Sequence, residues 1–265
     1  MIVKKYTIEI LVITIILGLL FYSSDPVLYV DSYRFLKGSL TETGISDPPL
    51  YSTIILILNS IFKTLNSVVI FQTLFIGFGI LFFLKTITKY FDIDVLSKAI
   101  IAIFLFLPMF KSYNNLLTEA LSYTLSLIFV SFVVKLIYTF STRNLFWTSI
   151  LVILLLLIRN QFLFLYPIIL LLYLGIISID RSKKKLISLT ISFIFIILSQ
   201  NSIVFINKSI KQVSLENNTL LNNESGIFHY IYVDTIYISS TEDVELFKDE
   251  SLKKTFAKIM QEVDS

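Results

Sequence analysis

The chain has 265 residues, of which 55% are hydrophobic and 15% charged, with a mean hydropathy of +0.82 and a formal charge of +3. Ordinary soluble domains are about 45–50% apolar and about 25% charged. Here the excess lies in long runs without a polar face at every turn, which argues against a soluble helical core. The absence of cysteine excludes disulfides and thiolate metal sites.

A bilayer-crossing helix needs roughly 20 mostly apolar residues to traverse about 30 Å of hydrocarbon, and only helices pair their backbone groups within one segment there. On that basis the sequence predicts spans at 6–22, 68–85, 97–110, 117–138, 145–158, 161–179 and 186–206. The first follows Lys4 and Lys5 as a signal peptide would, but Phe21-Tyr22-Ser23-Ser24 is a poor cleavage site, so an uncleaved span is expected. The run 50–62 is short and interrupted by Asn59, which suits an interfacial or re-entrant helix. The predicted class is therefore an all-α multi-span membrane protein with about seven transmembrane helices and interfacial helices in the first outer loop.

Lys and Arg in short loops set the orientation. With the N-terminus in the cytoplasm, Lys4, Lys5, Lys85, Lys89, Lys135, Arg143, Arg181 and Lys183 to Lys185 fall inside. The loop 23–50, the turn 111–116 and the tail 207–265 then fall outside. The tail is rich in Ser, Asn and acidic residues. Its stretch 227–239 reads as a strand, and 250–263 as a helix whose apolar face needs a partner, giving a small α/β extracytoplasmic tail. The expected division is a transmembrane domain at 1–206 and a tail at 207–265, with the chain an N-terminal portion of something longer.

Polar residues gather at the outer loops. The first carries Asp25, Asp31, Tyr33 and Arg34 among aromatics. A carboxylate in a partly dry cleft can deprotonate or orient a hydroxyl, although solvated loop aspartates would look the same. Asp47-Pro48-Pro49-Leu50-Tyr51 starts the short helix. Thr118-Glu119 opens a span, where a carboxylate is a functional candidate and also suits a helix dipole. Arg159-Asn160-Gln161 divides two apolar runs. Its guanidinium fork fits a phosphate, or simply snorkels. Lys111 is a second outer cation. The lone His229 is a poor metal ligand, and no Walker, Rossmann or zinc spacing is present.

Taken in order, these positions resemble the GT-C superfamily of membrane glycosyltransferases, in the branch of protein O-mannosyltransferases and lipid A aminoarabinose transferases. The resemblance covers roughly residues 1–205 and rests on Asp31-Ser32-Tyr33, Pro48-Pro49-Leu50-Tyr51, Thr118-Glu119 and Arg159. It implies an inverting transfer from a polyprenyl-phosphate sugar to an acceptor glycan, lipid or protein at the outer face of a bacterial inner membrane, within the cell envelope. Asp31 would be the catalytic base, with Asp25 the second candidate. Arg159 and Lys111 would bind the lipid phosphate, and Glu119 would line the cavity. Tyr33, Arg34, Tyr51 and Gln161 complete the expected substrate-binding set. Branches of the family differ in using a divalent ion, which leaves the metal open. Family members are longer than this chain. The competing readings are a transporter or flippase for a lipid-linked or small substrate, and a non-catalytic truncated remnant.

Overall fold

The computed structural model describes residues 2–29, 32, 35–36, 49–179 and 182–217, with side chains excepted at 2–6, 200 and 203–217. The chain divides into two units, Met1–Ser214 and Leu215–Ser265, and the architecture that follows belongs to the first. The expected tail strand at 227–239 and tail helix at 250–263 lie outside the described residues.

The elements are α1 (Ile2–Tyr22), α2 (Leu50–Phe62), α3 (Asn66–Tyr90), α4 (Val95–Phe106), α5 (Glu119–Tyr138), α6 (Thr142–Ile158), α7 (Leu165–Ile179) and α8 (Lys183–Asn217). Short 3-10 turns extend α4 at Leu107–Met109 and precede α7 at Asn160–Phe164. Among the described residues there is no strand, only an isolated bridge between Val27 and Asn115. The boundaries have local causes. The Asp94 carboxylate accepts from the backbone N–H groups of Leu96 and Ser97 and starts α4, while the Ser141 hydroxyl accepts from that of Asn144 and starts α6. Pro108 turns α4 into its 3-10 ending.

α3 is the central element. Gly77 faces the end of the Ile16 side chain on α1, and Gly79 faces Thr124 on α5. Small residues let helices approach closely without a polar penalty. α3 and α5 run in the same direction. Gln72 Nε2 donates to the Asn115 carbonyl near their starts, the Phe82 and Phe132 rings meet at a tilt further along, and Tyr90 meets Thr139 at their ends. α6 returns beside α5. Its Ser149 hydroxyl lies 2.5 Å from that of Ser192 on α8, and the Tyr173 hydroxyl on α7 lies 2.7 Å from the same Ser192. This buried knot ties α6, α7 and α8.

Among the described residues three helical stretches are long and apolar enough to cross a membrane: Asn66–Tyr90, Glu119–Tyr138 and Asn160–Ile179, with mean hydropathies of 2.3, 2.0 and 2.5. They correspond to the expected spans 68–85, 117–138 and 161–179. The other expected spans are not supported as crossings: among the described residues Thr7–Tyr22, the described part of α1, Val95–Met109 and Thr142–Ile158 are shorter apolar helices. At 1.5 Å per residue, a 12-residue α4 rises only about 18 Å and a 17-residue α6 about 26 Å. The expected span 186–206 falls inside the long α8 and is not among the three. The run 50–62 forms a helix with the expected bounds.

Candidate functional site

One end of the bundle brings together the start of α5 and the close of α6. Glu119 is the first residue of α5, and Arg159 caps α6. The helix-start partial positive charge favours the carboxylate, and the helix-end partial negative charge favours the guanidinium. Arg159 Nη1 donates to Glu119 Oε1 at 2.9 Å. The Glu119 side chain is 42% exposed, yet its second oxygen, Oε2, is buried without a hydrogen-bond partner among the described residues.

Three further polar atoms share that condition: the Tyr51 hydroxyl, the Ser52 hydroxyl and Gln72 Oε1. Their residues are 1%, 2% and 1% exposed. Tyr51 and Ser52 come from the first turn of α2, and Gln72 from the second turn of α3. Burial pushes the Tyr51 phenol well above its usual range, and the nearby Glu119 charge adds to this. The Gln72 side chain acts weakly in the opposite sense, although neither Tyr51 Oη nor Gln72 Oε1 reaches hydrogen-bond geometry. Leaving such an atom unpaired costs about 1–3 kcal/mol, so the Tyr51 hydroxyl near Glu119, with Glu119 Oε2 itself unpartnered, marks a place built for polar contact.

The packing beneath the site is apolar. Phe35 meets Tyr51 edge-on, with ring centroids 5.0 Å apart, and Leu116, Leu121 and Ile158 belong to the same core. The first loop is stitched to the turn before α5. The Val27 N–H donates to the Asn114 carbonyl at 3.0 Å, and the Leu116 N–H donates to that of Val27 at 3.1 Å. The Tyr113 hydroxyl lies 3.0 and 2.9 Å from the carbonyl oxygens of Leu19 and Ser23, which closes the end of α1. Ser32 is buried, and its hydroxyl accepts from the Tyr29 N–H.

Of the residues expected from sequence, Glu119, Arg159 and Tyr51 are brought together. Asp25 is exposed and accepts from Asn66 Nδ2 at 3.2 Å. Lys111 and Gln161 are also exposed, and no described contact joins them to Glu119 or Arg159. Asp31, Tyr33 and Arg34 lie outside the described residues. Sequence reasoning missed Ser52 and Gln72. The signal for Gln72 was available as a glutamine inside the apolar run 68–85, where a polar side chain marks an internal face. Among the described residues no group of three or more His, Asp or Glu gathers to hold a metal ion.

Comparison of the chain with protein-family models, with curated proteins and with solved structures found no match.

Proposed function

We propose that this chain is a membrane glycosyltransferase that moves a sugar from a polyprenyl-phosphate-linked donor to an acceptor hydroxyl, with inversion at the sugar carbon. The observation that carries the reading is the Glu119–Arg159 pair with the buried, unpartnered Tyr51 hydroxyl near Glu119, and with further unpartnered atoms at Ser52 on α2 and Gln72 on α3. Arg159 uses one N–H on Glu119 and keeps the rest of its fork for a phosphate oxygen. The Tyr51 and Ser52 hydroxyls are donors, and Gln72 Oε1 and Glu119 Oε2 are acceptors for the sugar. Asp31, the resemblance's base, takes the acceptor's proton while the acceptor oxygen bonds to the anomeric carbon. The bond from that carbon to the phosphate oxygen breaks, and the lipid phosphate leaves with the electron pair. Such a leaving group needs chiefly positioning and charge stabilisation.

The continuous courses of α3 and α5 support this reading over a transporter, whose site forms at interrupted helices near the bilayer midplane. In the orientation expected from the Lys and Arg distribution, the Glu119 end faces outward and the N-terminus lies in the cytoplasm of a bacterial inner membrane. The test is binding of a polyprenyl-phosphate sugar to the protein in nanodiscs, followed by sugar release. Charged hydrogen bonds contribute about 1.5–3 kcal/mol, so Arg159→Ala is expected to weaken binding roughly 10- to 100-fold. Asp31→Asn is expected to spare binding and abolish transfer. Equal binding by wild type and Arg159→Ala would sink the reading.

A further inference from the structure

The opposite end of α3, α5 and α6 carries a second feature, independent of the transferase reading. A cavity of about 840 Å³ opens there, and Lys85, Lys89, Lys135 and Arg143 all line it. Among the described residues no carboxylate forms an ion pair with any of the four. Lys85 and Lys89 stand four residues apart on α3, a spacing at which like charges repel. In the sequence alone these residues carry only a sidedness signal.

The cavity has a fixed frame. The Asn144 side chain, buried, donates through Nδ2 to the Thr139 carbonyl at 2.9 Å. The Tyr90 hydroxyl lies 3.0 Å from Thr139 Oγ1, and the Tyr90 and Tyr138 rings stack with centroids 4.8 Å apart. The turn between α5 and α6 is thereby pinned to the end of α3. Lys135 Nζ lies 4.0 Å from the Phe82 ring centroid and 4.6 Å from that of Phe132. Those contacts hold the ammonium at the cavity wall, since a ring face attracts a cation without neutralising it.

The surroundings identify the ligand's other half. Trp147 lines the cavity and is half-exposed, as is Tyr138 beside it. Trp and Tyr collect where a bilayer meets water, and α3 and α5 are two of the helices long enough to cross one. A row of uncompensated cations against an aromatic rim at that depth matches a phosphate group attached to acyl chains. The geometry points to a specific site for the phosphate-bearing headgroup of an anionic phospholipid at the Lys135 end of α3, α5 and α6.

The experiment uses the full chain in nanodiscs of phosphatidylcholine, with phosphatidylglycerol or cardiolipin added in steps, and reads lipid retention by native mass spectrometry together with the melting temperature. Wild type is expected to retain anionic lipid and to melt higher as it is added. Juxtamembrane cations contribute about 1 kcal/mol each, so Lys135→Gln is expected to weaken retention about fivefold. Lys89→Gln and Arg143→Gln, at exposed positions that bear on no core packing, are expected to act in the same sense and keep the proposal testable where Lys135→Gln fails to fold. Lys183→Gln/Lys184→Gln removes exposed cations outside the cavity lining and is expected to retain the lipid preference. Equal loss in that control would overturn the site in favour of general charge attraction. Inorganic phosphate and pyrophosphate are titrated in phosphatidylcholine discs. If either protects wild type as well as the lipid does, the lipid assignment is overturned and a soluble phosphate ligand takes its place. No preference for anionic lipid in wild type overturns the proposal outright.

Discussion

Glu119 and Arg159, 40 residues apart in the chain, meet at 2.9 Å where the start of α5 lies against the end of α6. The two side chains are 42% and 32% exposed, so solvent screens much of their attraction. Pairs of this kind contribute about 0.2–1 kcal/mol. A double-mutant cycle with Glu119→Gln and Arg159→Ala, followed by denaturant unfolding in micelles, is expected to give a coupling in that range. A coupling above about 3 kcal/mol would identify a desolvated structural pair, and the ligand-binding role of Arg159 would lose its argument.

Tyr51→Phe separates function from stability. The Tyr51 hydroxyl is buried without a partner, so its removal deletes a desolvation cost and leaves the ring's packing on Phe35 in place. Unfolding measurements are expected to show a stability unchanged or raised by up to about 1 kcal/mol. Donor-lipid binding is expected to fall in the same variant. A clear loss of stability would show that the hydroxyl is satisfied in the protein and not held for a ligand.

How far the sequence discloses this arrangement depends on the length scale of each signal. The three stretches at Asn66–Tyr90, Glu119–Tyr138 and Asn160–Ile179 were legible because each fills a whole span with little interruption. α4 and α6 form where the sequence places them, with Asp94 and Ser141 starting them a few residues earlier, but at 12 and 17 residues they are shorter than a full crossing. Glu119 and Arg159 were legible because charges at the ends of apolar runs are conspicuous. Their pairing was not, because it depends on how α5 and α6 pack. Ser52 was not legible for the same reason, since only packing buries its hydroxyl, whereas Gln72 carries a signal as a glutamine within an apolar run. The cation cavity combines residues from three helices, and each loop viewed alone gave only a sidedness signal.

The two glycines of α3 are expected to differ. A Cβ at Gly79 would lie 2.6 Å from Thr124 Cγ2, with the Thr124 backbone at 3.4 and 3.5 Å behind it. Something must shift to admit it, and overpacking of this kind costs about 1–3 kcal/mol. A Cβ at Gly77 would collide with the outer end of the flexible Ile16 side chain. Gly79→Ala is therefore expected to lower the melting temperature, and shortening Ile16 to be unable to restore it. Gly77→Ala/Ile16→Ala is expected to recover part of what Gly77→Ala loses. Equal rescue of both glycine variants by Ile16→Ala would show that α1, not α5, limits the approach to α3.

Asp94 gives an acid-sensitive contact at the start of α4. Its carboxylate accepts from the Ser97 hydroxyl and backbone N–H and from the Leu96 N–H, and these bonds hold its pKa below the usual 3.8, with Ser97 the largest cause. Because the folded value lies below the unfolded one, the cap's contribution is fully present above the unfolded value and is lost as the pH falls through the folded one. Hydrogen exchange in the first turn of α4 is expected to stay slow at neutral pH and to quicken, beyond the intrinsic pH trend, below about pH 4. Asp94→Asn keeps a helix-capping oxygen without the titrating proton, so its exchange should follow the intrinsic trend alone across the same range. An identical acid response in the variant would assign the sensitivity to another carboxylate, for which Asp92 on the same turn is the next residue to change.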